Sequence, residues 1–326
     1  MRPLCPRDLG DALLMVNSRG GSTPQWERRM SKGDSASETS RGYLYAILGA
    51  LGGGSIPTLF KIVIADNAPV AVSGAAMLLS GFLLLLYRPR AAPSRSGLPY
   101  LLLIGLVGAA AAPVLWAVGI SETTVVNASL LANGEVLFTA VIAVTLLGER
   151  LSRVQTAMGG LIVAGILIVS TNLDLTKVQF FQGLVGNLLI LGSMLAWGFE
   201  NNVIVYVSDR ISTPILSKFR NLIGGSLVTT FAVLLGLPLR LTAYEAFVFV
   251  LLVIAYAGTT YLFIGALQKL GAIKMILVYS VSTVFSAALA LVVLGEQITI
   301  AQLLGGALII MGVYLFRRSE KPTVSS

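Results

Sequence analysis

The sequence predicts an all-α membrane protein, ten transmembrane helices arranged as two inverted five-helix repeats. Three observations carry that reading. Of the 326 residues, 56% are hydrophobic and only 12% charged, and the mean hydropathy is +0.85. A soluble domain carries about 25% charged residues, and so little polar surface does not cover a water-soluble globule. From Tyr43 onward the apolar residues form long segments joined by short connectors. Residues 136–165 match 283–312 at a fixed offset of 147, with eleven of 30 positions identical.

The spans are expected at 43–63, 69–87, 98–119, 123–147, 153–171, 183–206, 213–235, 244–266, 271–294 and 300–316. A crossing helix needs about 20 apolar residues, and all ten fit that scale. The first ends at Ala65-Asp66-Asn67-Ala68-Pro69, the second at Arg88-Pro89-Arg90, the fifth at Asn172-Leu173-Asp174 and the seventh at Leu237-Pro238-Leu239-Arg240. Barrel strands would be about half as long and would alternate apolar with polar residues. Helices remain because lipid leaves backbone amides no partner outside the segment. Residues 1–41 are expected as a disordered cytoplasmic tail, 172–182 as a linker loop and 317–326 as a cytoplasmic C-terminal tail. Met30 is a second candidate start beside Met1.

The net charge of +8 is read as topology and not as a nucleic-acid partner. With the N-terminus inside, 17 of the 23 Lys and Arg residues fall on the cytoplasmic side, and outer loops hold only Lys177 and Arg240. Both termini are therefore expected in the cytoplasm of a cell-membrane protein. There is no histidine and a single cysteine, Cys5, so no disulfide framework or His/Cys metal cluster is expected. Gly52-Gly53-Gly54-Ser55 lies within a span and lacks the Lys-Ser/Thr of a phosphate loop. No cofactor is expected.

The repeat includes Leu147-Gly148-Glu149 against Leu294-Gly295-Glu296, with Gln155/Gln302 and Gly159/Gly306 following. Pro69 pairs with Pro214 and Gly54 with Gly198 at offsets of 145 and 144. Each half thus spans residues 42–171 or 183–316, five spans each. An odd number makes the second half enter the membrane from the opposite side. Such inverted repeats are typical of secondary transporters, which bind substrate near the midplane between halves.

The paired Leu-Gly-Glu junctions, with Gly53-Gly54-Ser55 through Lys61 and Trp197-Gly198 at the first spans of the halves, resemble the drug/metabolite transporter superfamily, specifically its EamA-type ten-helix permeases. Two departures stand out. The Trp expected before Gly-Ser is missing from the first span, and the arginine often found in the second span is replaced by Ala76. The resemblance implies a helix bundle around a central cavity and the export or exchange of small metabolites, often amino acids.

Polar residues inside spans mark the candidate substrate site, because charge at the bilayer centre costs about 2.5–3.5 kcal/mol even on insertion scales. Glu135 sits in mid-span, too short to reach an interface, with Asn127 and Asn133 nearby. Glu200 and Asn201 follow Trp197-Gly198. Lys218 and Arg220 are read as snorkelling toward the cytoplasm, with Lys218 kept as a candidate partner for Glu200. Lys274, Trp116 and Tyr279 complete the set, with Tyr261 and Trp197 as further aromatics. Lys61 is read as an interfacial anchor. Glu149 and Glu296 are read as caps of the helix that follows each. Ser282, not a carboxylate, occupies the repeat position of Glu135.

The expected function is secondary-active transport of a small metabolite by alternating access, in a cavity between spans 1, 3, 4 and 6, 8, 9. The partners are the bilayer, the metabolite and a coupling proton; monomer and homodimer both fit. A channel, a scaffold subunit or a lipid-modifying enzyme are the rival readings. The enzyme reading lacks a cluster of reactive residues.

Overall fold

The computed structural model describes residues 36–87, 97–147, 152–171, 179–208 and 210–318. Among them there is no strand, and each of the ten segments expected as a span carries a helix. In chain order these are α1 (Ala36–Val63), α2 (Pro69–Leu84), α3 (Leu98–Ser121), α4 (Val125–Leu131, then Gly134–Leu147), α5 (Arg153–Thr171), α6 (Gln179–Tyr206), α7 (Thr213–Leu234), α8 (Ala243–Leu270), α9 (Ala272–Leu294) and α10 (Ile300–Arg318). Six of them, α1, α3, α4, α6, α8 and α9, are long and apolar enough to cross a membrane, while α2 and the apolar stretches of α5 and α10 are shorter. α7 differs in composition, since Lys218, Arg220 and Asn221 lie in its first half. α1 starts at Ala36, ahead of the expected Tyr43. The expectations for residues 1–35, for 172–178, for 319–326 and for Glu149 lie outside the described residues.

Local chemistry sets the helix starts. Pro69 and Pro214 stand in the first turns of α2 and α7, where a missing N–H costs nothing. α8 opens on a capping box between Thr242 and Glu245. α10 opens on the same device: Thr299 N donates to Gln302 Oε1 at 2.9 Å and Gln302 N to Thr299 Oγ1 at 3.2 Å.

The packing repeats as the sequence does. α2 lies on α7 and α5 on α10, pairs that a two-fold axis maps onto themselves. α3 on α6 is matched by α8 on α1, and α4 on α6 by α9 on α1. Helices of one half therefore pack largely on helices of the other. Between helices in lipid, close van der Waals contact replaces hydrophobic burial as the driving force, and small residues permit it. A methyl group on Gly198 would lie 2.9 Å from Thr139 N and 3.0 Å from Phe138 Cβ. One on Gly54 would lie 2.8 Å from the Ser282 carbonyl and 3.3 Å from Phe285 Cβ. Gly54/Gly198 and Phe138/Phe285 are repeat partners, so these are two copies of one contact.

Both α4 and α9 are interrupted, α4 at residues 132–133 and α9 at Ser280. Asn133 and Ser280 are 147 apart. Asn133 Nδ2 donates to the Leu130 carbonyl at 3.1 Å, and Ser280 Oγ to the Leu277 carbonyl at 2.8 Å. Each side chain thus donates to the carbonyl three residues back, at the break itself. Broken helices at matching positions of two halves are where inverted-repeat carriers build their sites.

Candidate functional site

A cavity of about 970 Å³, its mouth included, lies where the two broken helices meet α1, α3, α6 and α8. These are the six helices expected to form it; Met77 of α2 and Arg220 of α7 also reach it. Of the candidates, Trp116, Glu135, Glu200, Asn201 and Tyr279 line this space together. Trp197 and Ser282 line it as well.

The other candidates are placed elsewhere. Asn127 Nδ2 donates to Thr123 Oγ1 at 3.0 Å and to Asn187 Oδ1 at 2.8 Å, tying α4 to α6 at one end of the bundle. Asn133 supports the break in α4 and also donates to Thr283 Oγ1 at 2.9 Å. Lys218 is buried, with Nζ 5.5 Å from the Phe219 ring centroid. Lys274 is half-buried near the start of α9, outside the lining. Tyr261 packs against Tyr45 and Tyr87 rather than on the cavity.

The partner of Glu200 is Arg220, not Lys218. Arg220 Nε donates to Glu200 Oε1 at 2.5 Å and Nη2 to Oε2 at 2.9 Å, a bidentate pair. Glu200 is 2% exposed, and the Arg220 side chain 11%. Residues 218 and 220 differ by about 200° around a helix, so only one of them faces α6. The snorkelling reading fails because a free carbonyl waits inside. Residues 107–111 of α3 form a π turn, in whose register the N–H of residue 113 would serve Gly108. Residue 113 is proline and has no N–H. The Gly108 carbonyl instead accepts Arg220 Nη2 at 2.8 Å and Trp197 Nε1 at 2.9 Å. Gly108 is also needed for space, since a methyl group there would overlap the Glu200 carboxyl.

Glu135 follows the break in α4 and is 7% exposed. Its Oε1 accepts Asn201 Nδ2 at 2.6 Å, and the same amide reaches Thr139 Oγ1 at 3.4 Å. Asn201 Oδ1 is buried without a partner. The opposite side of the cavity is built of hydroxyls and rings: Tyr256, Thr259, Thr260, Phe263, Tyr279, Ser282, Thr283 and Ser286. Gly53 makes room for Tyr279, whose hydroxyl a methyl group there would overlap.

Glu296 is a cap, but of a different helix than expected. Its Oε1 and Oε2 accept Val125 N at 2.8 Å and Val126 N at 2.9 Å, closing the start of α4 in the other half. Thr299 and Gln302 already cap α10, which frees Glu296 to reach across. Beside it, Lys61 Nζ donates to the carbonyls of Ile120 and Thr123, each at 2.8 Å, at the end of α3.

Comparisons with known proteins agree with this architecture. The EamA-like transporter family matches residues 40–171 and again 184–318. A protein of Methanothermobacter thermautotrophicus described as an uncharacterized transporter is 25% identical over 296 residues, covering 84% of this chain and 85% of its own length. A solved structure titled only as the crystal structure of a protein superposes with a TM-score of 0.62 at 18% identity, over 88% of this chain and 100% of that one. At that identity it speaks for the fold alone.

Proposed function

The chain belongs to the EamA-like transporter family, and from that premise we propose that this multi-pass membrane transporter is a secondary carrier working by alternating access. It exports or exchanges a small metabolite across the cell membrane, with both termini in the cytoplasm. Glu135 is the polar contact for the substrate and the group that takes up the coupling proton. The observation that supports this reading best is the cavity at the junction of two matched halves, with the Glu135 carboxyl held by a single neutral amide. An inverted pair of halves has two near-equivalent ways of packing, and a ligand held between them is exposed by each in turn. The amide of Asn201 suits either form of Glu135, since an amide offers both donor and acceptor.

The test is counterflow. Purified protein in proteoliposomes, preloaded with amino acids, amines, sugars or polyamines, is expected to show saturable exchange of at least one of them. Non-saturable flux would favour a channel, and no flux a scaffold or enzyme. Glu135→Gln is expected to abolish exchange while leaving expression and thermal unfolding unchanged; wild-type exchange by that variant would refute the role given to Glu135.

A further inference from the structure

We propose that the cavity selects a small organic monocation, a protonated amine on a flat apolar body, and rejects the zwitterionic amino acid of the same shape. The proposal rests on the carrier reading and adds the charge of the cargo.

Charge accounting on the lining residues carries it. An amino acid needs a cation for its carboxylate, and Arg220 is the one Lys or Arg side chain among the described lining residues. Four of its five donors are already engaged. Of the five N–H groups of a guanidinium, two serve Glu200, one the Gly108 carbonyl and one Asn221 Oδ1 at 3.0 Å. A substrate carboxylate would find one Nη1 N–H left, and to be gripped by two it would have to evict Glu200 and leave that acid buried without its partner, which is strongly unfavourable. Lys61 is bound to the carbonyls that end α3, and Lys218 and Lys274 lie off the cavity. Glu200 and Arg220 cancel, so the lining carries one uncompensated acid, Glu135.

The rest of the lining suits a cation on an aromatic or similarly flat frame. Trp116, Trp197, Tyr256, Phe263 and Tyr279 surround the space, and ring faces attract organic cations. Acceptors are available as well: Asn201 Oδ1 is buried and unpartnered, and Pro57, four residues after Gly53, has no N–H to give the carbonyl there.

Three probes with one ring and different charge separate the possibilities: phenethylamine, phenylalanine and 3-phenylpropionate. Binding to the purified full chain is measured by titration calorimetry, and exchange by counterflow in proteoliposomes. Phenethylamine is expected to bind at least about tenfold more tightly than phenylalanine, and 3-phenylpropionate not measurably. Glu135→Gln is expected to weaken the amine by about 10–100-fold, and Glu135→Asp to keep the preference. Because the three-way comparison uses wild-type protein, it decides even if a variant folds poorly. Equal or tighter binding of phenylalanine overturns the proposal, as does amine binding that Glu135→Gln leaves intact, or no binding of any of the three. Exchange of phenylalanine, or of any unrelated solute, would leave the carrier reading standing while this inference falls; absence of exchange for every solute would remove the carrier reading itself.

Discussion

The two-fold axis relates two walls of one cavity, and the walls differ in chemistry while sharing a backbone. One wall comes from α3, α4, α6 and α7 and holds Glu135, Glu200 and Arg220. Its image comes from α8, α9, α1 and α2. At the offset of 147, Glu135 corresponds to Ser282. At the offset of 144 that pairs Gly54 with Gly198, Glu200 corresponds to Ile56 and Arg220 to Ala76. The same offset pairs Gly81 with Gly225, and each lies against a repeat-related leucine: a methyl group on Gly81 would come within 2.9 Å of Leu222 N, and one on Gly225 would press on Leu78 N. The helix contacts are thus duplicated and the charges are not. Duplication built the shape, and all the cavity's charge was gained or kept on one side of it. It also explains Ala76: in this chain the intramembrane arginine sits at the matching turn of the other half.

The largest effect should come from splitting the ion pair on the charged wall. Arg220→Met leaves Glu200 buried without a partner, at a cost of about 3–5 kcal/mol. The unfolding midpoint in detergent should fall steeply, and the double variant Glu200→Gln/Arg220→Met should recover most of the loss. A double variant as unstable as the single one would mean that Arg220 acts mainly through Gly108 and Asn221.

The shared backbone is tested next. Gly54→Ala and Gly198→Ala push a methyl group into backbone atoms at equivalent places, 2.8 Å from the Ser282 carbonyl and 2.9 Å from Thr139 N. Each should destabilise by about 1–3 kcal/mol, as overpacking does, with similar shifts in unfolding midpoint. If one variant is silent, the two contacts are not equivalent.

A smaller effect should follow from making the walls alike. Ser282→Glu places a carboxyl opposite Glu135 and gives the cavity a second uncompensated acid. Preference should move by roughly tenfold from a monoamine toward a diamine of similar length, about 1.4 kcal/mol. Competition between phenethylamine and a xylylene diamine, whose two benzylic amines are both protonated at neutral pH, reads this directly. An unchanged preference would mean that Ser282 does not share the substrate's space with Glu135.

Much of this was legible in the sequence because the bilayer enforces it. Length and hydropathy identify spans, and a carboxylate as short as Glu135 in mid-span has nowhere to go but inward. The six helices of the cavity follow from the inverted repeat. Arg220 was not legible, since hydropathy treats a cation near a span end as snorkelling. What holds it is the Gly108 carbonyl, freed by a π turn and Pro113 on another helix. Lys218 was a plausible partner for Glu200 on polarity, but helix phase turns it away. Glu296 was read correctly as an anion at a helix start and assigned to the wrong helix. The nearby Thr299–Gln302 pair caps α10, and only the fold brings Val125 within reach.

That reach makes one further prediction, at the end of the cavity rather than in its walls. Glu296 belongs to the second half and grips the start of α4 in the first, with Lys61 holding the end of α3 a few residues away. In the orientation proposed above, this is the outer end. In the cavity wall next to it, Ser129 Oγ donates to Ser286 Oγ at 2.7 Å, also from half to half. In the alternating access proposed above, opening to the outside requires these links to part. Glu296 is half-buried, and an anion at a helix start in such a setting is worth about 1 kcal/mol. Glu296→Gln should therefore raise the outward-open population by roughly fivefold. The readout is labelling of Ser282→Cys, in a Cys5→Ser background, by a membrane-impermeant maleimide in right-side-out and inverted vesicles. The ratio of outer to inner labelling should rise by that factor while the unfolding midpoint moves little. A midpoint that falls with an unchanged ratio would make Glu296 a structural cap alone and leave the walls, not the ends, to set which side is open.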